Sequence, residues 1–204
     1  AELVINSLAA YEEDYKEHIL HQHCLGQQNQ PVPCRVACPA HVDIPGYLSL
    51  IADGRNEDAV RLIRKDNPFP ASCGFVCEHP CEANCRRNMT DDAINICGLK
   101  RYAVEHTQAV AAPERLPETG KKIAIVGGGP GGLTAAYYLQ LMGHQVTIME
   151  RLDQLGGMLR YGIPPYRLPR NYLDWDINHI LSVGVETKFG VSAGKDFTDR
   201  KSVV

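Results

Sequence analysis

The sequence has no apolar run long enough to cross a membrane and no excess of basic residues. A spanning helix needs roughly 20 apolar residues, and a nucleic-acid-binding domain usually carries a basic surplus, whereas these 204 residues have a net charge of −3. The first 15 residues include four acidic residues and no basic one, which is unlike a secretory signal peptide. We therefore expect a cytoplasmic protein with no membrane span and no nucleic-acid partner.

Cysteine is absent from the second half of the chain, because all eight thiols lie between Cys24 and Cys97. In a reducing compartment, such a set is more typical of metal ligands or catalytic thiols than of disulfides. Residues 113–120 contain two prolines and a glycine, which is typical of a linker. We predict a first domain of residues 1–112, this linker, and a second domain of residues 121–204.

The first domain is expected to be helical, because no segment of it alternates as a strand would. Apolar spacing, prolines at helix starts and capping residues define the expected helices. They cover residues 3–20, begin at Pro45, cover residues 57–65 after a cap at Asn56, and run from a cap at Thr90 or Asp91 to about residue 110.

The spacing of the cysteines favours iron–sulfur clusters. Cys34 and Cys38 form a C-x3-C-P motif, which ends the cysteine run of bacterial ferredoxins. Four more cysteines follow at intervals of four over Cys73–Cys85. Pro80 is expected to break a continuous helix there and to hold His79 in extended geometry. The resulting turn can bring several thiolates around one inorganic core.

Two other interpretations of the cysteines stay open. Structural zinc is the main one, since four-cysteine zinc sites are common, although zinc ribbons and fingers favour C-x2-C pairs and the sequence contains none. The other is that the thiols are small buried hydrophobic residues. For Cys73, a place in the core and a place at a cluster are equally open.

Four segments, Cys34–Pro45, Asp66–Pro70, Cys73–Cys85 and Ile94–Tyr102, together resemble one known domain. This is the N-terminal iron–sulfur domain of the glutamate synthase small subunit family, also found in dihydropyrimidine dehydrogenase and in the large subunit of NADH-dependent ferredoxin:NADP oxidoreductase. The resemblance covers about residues 20–190. It implies an α + α/β fold, with an α-helical ferredoxin domain that holds two 4Fe-4S clusters, followed by part of a Rossmann-like FAD-binding domain.

The resemblance also implies a ligand set for the first cluster. It assigns Cys24, Cys34 and Cys85 to that cluster. Relatives usually have a further cysteine shortly after the position of Cys24, and this chain has none there. The side chains available to replace it are His21, His23, Gln27 and Gln28.

For the second cluster, the resemblance implies Cys38, Cys77 and Cys81. Some relatives use Gln or Glu as a fourth ligand at the position of Lys100, and a protonated amine cannot bind iron. Cys97 lies one helical turn earlier on the same face, so we predict that it is the substitute ligand, with a buried helix thiol as the alternative. Three cations, Arg35, Lys100 and Arg101, are expected to raise the reduction potentials of the clusters.

The second domain begins with a dinucleotide-binding pattern. A short apolar strand over residues 122–126 leads into Gly127, Gly129 and Gly132, which satisfy G-x-G-x-x-G at the start of a helix. Such glycines allow a tight turn, close approach to a pyrophosphate and close packing of helix on strand. A second strand then ends in Glu150, where a carboxylate can accept a hydrogen bond from a ribose hydroxyl.

Further glycines after Glu150 favour FAD over NAD. Gly156 and Gly157, followed by residues 159–164, resemble the second FAD-contacting segment of the family. A helix over residues 170–182 and a strand over residues 185–189 are expected to follow. The predicted cofactor-binding residues are Gly127, Gly129, Pro130, Gly131, Gly132, Glu150, Arg151, Gly157, Met158, Leu159 and Arg160.

The predicted function is electron transfer within an NAD(P)H-linked iron–sulfur flavoprotein oxidoreductase. Electrons would be relayed between FAD and the clusters and passed to other subunits of a redox complex. Residues 121–204 are too few for the NAD(P)H domain into which relatives continue, so we expect no nicotinamide oxidation by this chain alone. The alternative is a non-catalytic iron–sulfur scaffold subunit with an empty Rossmann half. No catalytic acid, base or nucleophile is identifiable.

Overall fold

The computed structural model describes residues 32–108 and 110–197, and a helical part precedes a small α/β part in it. The helices are α1 (Pro33–Ala37), α2 (Ile44–Ala52), α3 (Asn56–Arg64), α4 (Pro70–Val76), α5 (Pro80–Ala83), α6 (Ile96–Glu105), α7 (Pro130–Leu141), α8 (Met158–Tyr161) and α9 (Arg170–Ser182). The strands are β1 (Lys122–Val126), β2 (Gln145–Glu150) and β3 (Glu186–Phe189). The α + α/β fold class is thereby confirmed, and no helix of the described residues is long and apolar enough to cross a membrane.

Some predictions concern residues that the structure does not describe. These are the helix over residues 3–20, Cys24, and its possible replacements His21, His23, Gln27 and Gln28.

The helical part packs α2, α3 and α6 around Tyr47. This side chain is fully buried in a core with Ile44, Ile63 and Ala103. Its hydroxyl donates to the carbonyl oxygen of Ile96 at 3.2 Å, which satisfies the one polar atom that the ring carries into the core.

Side-chain caps determine where α6 begins. Asn95 Oδ1 accepts from Gly98 N at 3.0 Å, so the helix starts at residue 96 and the predicted cap at residues 90–91 is wrong. Asp91 instead accepts two hydrogen bonds of 2.7 Å from Arg87, beside a 3₁₀ turn. The helix also ends earlier than predicted, whereas the helix predicted over residues 57–65 is α3, displaced by one residue.

Pro80 divides the cysteine-rich segment into α4 and α5, as predicted. The extended geometry predicted for His79 is wrong, because its φ of 43° and ψ of 53° lie in the left-handed region. Two contacts with Cys77 accompany this turn: the His79 N–H donates to Cys77 Sγ at 3.3 Å, and the ring Nδ1 lies 3.1 Å from Cys77 O. These local contacts override the usual preference of a residue before proline.

The α/β part contains a parallel sheet in the order β1–β2–β3. Ile148 of the central strand lies opposite Ile125 of β1 and Thr187 of β3. Leu133 of α7 and Leu173 of α9 are buried with Ile148 in one core. The predicted strands and the helix over residues 170–182 are confirmed here. Because the strands are parallel, their carboxyl ends meet at one edge, which is where ligands bind in open α/β sheets.

Helix α4 joins the two parts. Phe69, just before it, is buried in the core of the α/β part, and Phe75 packs against the same core. The Asp176 carboxylate of α9, a helix of the same α/β part, accepts from Ala71 N at 3.3 Å and from Ser72 N at 2.7 Å. The first turn of α4 is therefore capped by a side chain that lies more than 100 residues later in the sequence.

Candidate iron–sulfur and dinucleotide sites

The first group of thiols consists of Cys34 in α1 and Cys85 after α5. Burial raises the pKa of Cys34, and the nearby Cys85 adds to the rise, so the two sulfurs lie within electrostatic range of each other. Helix α1 packs against α5, and Cys38, directly after α1, contacts the same core as Cys34. Cys24, the third ligand implied for this cluster, lies outside the described residues.

The second group of thiols consists of Cys77, Cys81 and Cys97. Burial raises the pKa of Cys81 to about 11 and also raises that of Cys97, while Lys100 lowers both and Cys77 raises both. These shared influences locate the three thiols and Lys100 in one neighbourhood. Glu82 Oε1 accepts from Cys97 N at 2.8 Å, which attaches the start of α6 to α5.

Tyr47 lies between the two groups of thiols. Burial raises the pKa of its hydroxyl, and Cys81, Cys97, Cys38 and Cys34 each add to the rise. Thiols from both groups therefore approach one buried ring at the centre of the helical part. This arrangement brings together sequence positions more than 60 residues apart.

Cys73 differs from the other thiols because it packs against the core of the α/β part. Burial raises its pKa and Lys100 lowers it, so the same cation lies within range. The Cys73 carbonyl oxygen lies 3.6 Å from Cys97 Sγ. Of the two roles that the sequence left open for Cys73, this setting favours packing.

Lys100 is 8% exposed, and no carboxylate of the described residues forms an ion pair with it. Its buried positive charge therefore acts on the neighbouring thiols and favours their thiolate form. Arg101 differs, because its charge is offset by Glu105 at 2.7 Å. Arg35 is exposed and donates to His41 O at 3.1 Å.

The chemistry of both groups fits iron–sulfur clusters, because thiolates are the ligands that such clusters prefer. Within residues 32–108 and 110–197, no three His, Cys, Asp or Glu side chains are arranged to hold a single metal ion. A 4Fe-4S cluster makes a different demand, since each iron binds its own cysteine and the sulfurs stand farther apart than around one ion. The residues that would hold the clusters are the two groups of thiols and Cys38, which packs against the same core as Cys34 and lies near Tyr47.

The glycine loop connects β1 to α7. Gly127 has a φ of +97°, which favours glycine, and a Cβ on Gly132 would collide with the Gly127 carbonyl oxygen. By contrast, a Cβ on Gly131 would meet no atom within 4 Å, and Gly129 is almost as open. There is therefore free space beside the first turn of α7, where a helix N-terminus can bind a pyrophosphate.

Glu150 ends β2 beside this loop and is 7% exposed. Its Oε2 accepts from Gly128 N at 2.6 Å, and its Oε1 accepts from Leu152 N at 2.9 Å. The carboxylate thus supports the glycine loop, a contact that the sequence did not predict. The role of Gly128 was also missed, although the unbroken run of three glycines signals it: a Cβ there would collide with the Leu155 side chain.

The second glycine segment lies directly against the first. Gly156 N donates to Gly128 O at 2.8 Å, and a Cβ on Gly157 would lie 2.8 Å from Gly129 Cα. The other predicted residues of this segment separate by location. Met158 is exposed, Leu159 packs against the α/β core, and the Arg160 guanidinium is bound by Leu155 O and Asp174.

A cavity of about 570 Å³ opens at this edge of the sheet. Five of the predicted cofactor-binding residues line it: Gly127, Glu150, Arg151, Gly157 and Met158. Tyr161, which lies in the predicted FAD-contacting segment, also lines it, and so does the segment Val191–Ala193, which was not predicted. The predicted residues Gly129, Pro130, Gly131 and Gly132 are not part of this lining. We call the cavity and the adjoining open face of the glycine loop the glycine cradle, and the cavity volume lies within the range of cofactor sites.

Comparison with known proteins matches residues 6–112 to the family described as dihydropyrimidine dehydrogenase domain II, 4Fe-4S cluster, and residues 125–185 to the NAD(P)-binding Rossmann-like domain. The chain is similar to the NADPH-Fe(3+) oxidoreductase subunit beta of Geobacter sulfurreducens, with 46% identity over 81% of this chain and 25% of that protein. It is 40% identical to the NADP(+)-dependent formate dehydrogenase subunit beta of Moorella thermoacetica, over 81% of this chain and 27% of that protein. It is 33% identical to the glutamate synthase [NADPH] small chain of Mycobacterium tuberculosis, over 93% of this chain and 40% of that protein.

The chain spans about a quarter of the length of the first two relatives. The match to the 4Fe-4S family nevertheless covers more than half of the chain, and the resemblance found in the sequence is confirmed. The chain belongs to the family of dihydropyrimidine dehydrogenase domain II, the 4Fe-4S cluster domain, and carries a Rossmann-like domain after it.

Proposed function

We propose that the chain is the electron-transfer part of an NAD(P)H-linked iron–sulfur flavoprotein oxidoreductase. In this proposal it relays electrons between FAD and two 4Fe-4S clusters and passes them to other subunits of a redox complex. The observation that carries the proposal is the 4Fe-4S family match over residues 6–112, directly followed by a glycine loop with an open cradle. The names of the relatives, which include beta subunits and a small chain, support a place in a larger assembly.

FAD is the proposed occupant of the glycine cradle. The contact between Gly129 and Gly157 supports it, because two segments without side chains form one continuous surface along which an extended dinucleotide can lie. The N–H groups at the start of α7 would bind the pyrophosphate, and Glu150 would accept from a ribose hydroxyl in addition to holding Gly128. When bound, a flavin supplies both hydride and single-electron chemistry.

The proposed cluster ligands are Cys24, which lies outside the described residues, and six thiols whose neighbourhoods were described above. One cluster would be held by Cys24, Cys34 and Cys85, and the other by Cys38, Cys77, Cys81 and Cys97. Lys100 would remain an unligated cation beside the second cluster and raise its reduction potential. We place these sites in a domain of residues 1–112, with a linker at 113–120 and the cofactor domain from residue 121, and we propose a cytoplasmic location because the thiols must stay reduced.

The test is analysis of iron, acid-labile sulfide and flavin in anaerobically purified protein, together with its visible spectrum. Two clusters predict about eight iron atoms per chain, and about four would mean that the cluster without its usual cysteine is absent. Zinc without sulfide would contradict the iron–sulfur proposal. Clusters without flavin would instead favour a scaffold subunit whose Rossmann half is empty.

A further inference from the structure

A second cavity, of about 390 Å³, lies between the helical part and the α/β part. None of its lining residues belongs to the thiol groups or to the glycine loop. Its walls are mainly apolar and include Val110, Tyr137 and Leu141. The volume is within the range of small-molecule sites, which are typically apolar with a few polar groups that fix orientation.

Arg64 brings a buried guanidinium to this cavity. The residue is 3% exposed, and its Nε and Nη2 atoms have no hydrogen-bond partner. The nearest carboxylate oxygen, on Asp176, lies 3.9 Å from Nη2. Asp176 already accepts two backbone hydrogen bonds at α4, so it balances part of the charge without satisfying the donors. Buried charged donors are costly unless they are paired.

His179 adds a second unpartnered polar atom to the same wall. It is 9% exposed, and its Nε2 has no hydrogen-bond partner. Burial and the charge of Arg64 lower the pKa of His179 to about 4, although a backbone hydrogen bond with Val110 acts in the opposite direction, so the ring is neutral at pH 7. Lys65, which also lines the cavity, forms no ion pair with a described carboxylate, and the wall as a whole favours an anion.

We propose that this cavity binds a small apolar monocarboxylate. The carboxylate would accept hydrogen bonds from Arg64 beside the neutral ring of His179, and the apolar body would lie against Val110, Tyr137 and Leu141. Arginine is suited to this role because its fork of donors matches the two oxygens of a carboxylate. The inference does not depend on the proposed function, since none of these residues is assigned to a cluster or to the dinucleotide.

Calorimetric titration of the full, cofactor-loaded chain with 3-phenylpropionate tests the proposal, with the uncharged amide of the same acid as comparison. We expect saturable binding of the acid, and binding about tenfold or more weaker for the amide because the charge-assisted hydrogen bonds are lost. Trp175 is the single tryptophan, and the Arg64 guanidinium lies 4.1 Å from the centre of its ring. Its fluorescence therefore gives a second signal from the same site.

Two variants locate the binding. Ala111→Phe fills the cavity from an exposed lining position and should abolish binding, whereas Ala52→Phe, exposed on α2 and outside the cavity, should leave it unchanged. Arg64→Lys keeps the charge but loses the fork and should weaken binding. The proposal is overturned if neither compound binds, if acid and amide bind equally, or if Ala111→Phe binds like the parent. Iron and flavin contents should be the same in the parent and in both alanine-to-phenylalanine variants.

Discussion

Cys97 stands at the point where α6 meets α5, with its N–H held by Glu82 and its sulfur beside the carbonyl oxygens of Cys73 and Gly74. If it is the fourth ligand of the second cluster, Cys97→Ser should leave the fold intact and alter that cluster alone. We expect a shifted reduction potential or a three-iron form visible by EPR, because one iron then loses its thiolate.

Cys73→Ser is the matched control for this variant. Cys73 packs against the α/β core, so its replacement should leave both EPR signals and both potentials as in the parent. If Cys97→Ser also leaves them unchanged, Cys97 is a packing residue and the fourth ligand is another group.

Glu150 has two roles in the proposed site, as acceptor for a ribose hydroxyl and as acceptor for the N–H groups of Gly128 and Leu152. Glu150→Ala removes the ribose acceptor and also the acceptor for Gly128 N and Leu152 N. Charge-assisted hydrogen bonds contribute roughly 1.5–3 kcal/mol, so we expect about a tenfold or greater loss of FAD affinity with unchanged iron content. Glu150→Gln retains one acceptor oxygen, so its FAD affinity should lie between those of the parent and Glu150→Ala. FAD titrations of parent-like affinity in both variants would remove Glu150 from the site.

For single residues, the sequence identified candidate site residues better than it predicted the contacts that these residues make. The spacing of Cys34, Cys77 and Cys81 was informative because thiolates at turns have few uses in a reducing compartment. The hydrogen bond from Gly128 to Glu150 could not be foreseen, because it depends on how the loop after one strand curls over the end of the next. The sequence likewise gave no sign that Arg64 and His179 would line one cavity.

Single elements were predicted well where an apolar period or a glycine motif marks them, as for β1, β2 and α9. The start of α6 was predicted wrongly because three residues within six positions, Thr90, Asp91 and Asn95, are all good helix caps. The choice among them is made by Arg87, which binds Asp91 and leaves Asn95 to cap. The pairing of Arg87 with Asp91, four residues later, is not part of the sequence pattern that marks a helix start, so the pattern could not identify Asn95 as the cap.

The glycine loop offers a prediction at the level of a whole turn. Gly132→Ala should destabilise the protein and weaken FAD binding, because its Cβ would collide with the Gly127 carbonyl oxygen and push α7 away from β1. Gly131→Ala is the adjacent control: its Cβ meets nothing within 4 Å, and alanine favours a helix by about 1 kcal/mol over glycine. Thermal melts should therefore fall for the first variant and hold or rise for the second. Equal melting temperatures in the two variants would contradict the packing role of Gly132.

On the scale of the whole molecule, the two parts are coupled through Asp176. Burial raises the pKa of its carboxyl to about 7, although hydrogen bonds from Ser72 and Ala71 and the charge of Arg64 act in the opposite direction. Between the ordinary value of 3.8 and about 7, the folded protein therefore binds a proton that the unfolded chain has lost. The contribution of this group to the free energy of unfolding thus falls as the pH rises through that window.

Asp176→Asn isolates this effect, because the amide does not titrate. The variant should be less stable than the parent at pH 5, because the NH2 group of the amide cannot accept from either N–H donor at α4, whereas the hydroxyl oxygen of the protonated acid can. The difference should narrow towards pH 8, by an amount on the order of 1 kcal/mol per pH unit below pH 7. Thermal melts of both proteins across this range measure it, and a difference that widened with rising pH would contradict the assignment.

The division into two domains was predicted from composition. Composition does not show that α4 contacts both the helical part and the α/β part. Phe69, directly before α4, is buried in the core of the α/β part, Phe75 of α4 packs against that core, and Cys77 follows directly after the helix. A recombinant fragment cut at residue 112 would expose that aromatic face to water, and a fragment begun at residue 121 would lack part of its own interior. In chimaeric proteins, the helical part and the α/β part should therefore be transferred together. A chimaera that contains both parts would keep the thiols and the glycine loop at the same distance from each other as in this protein.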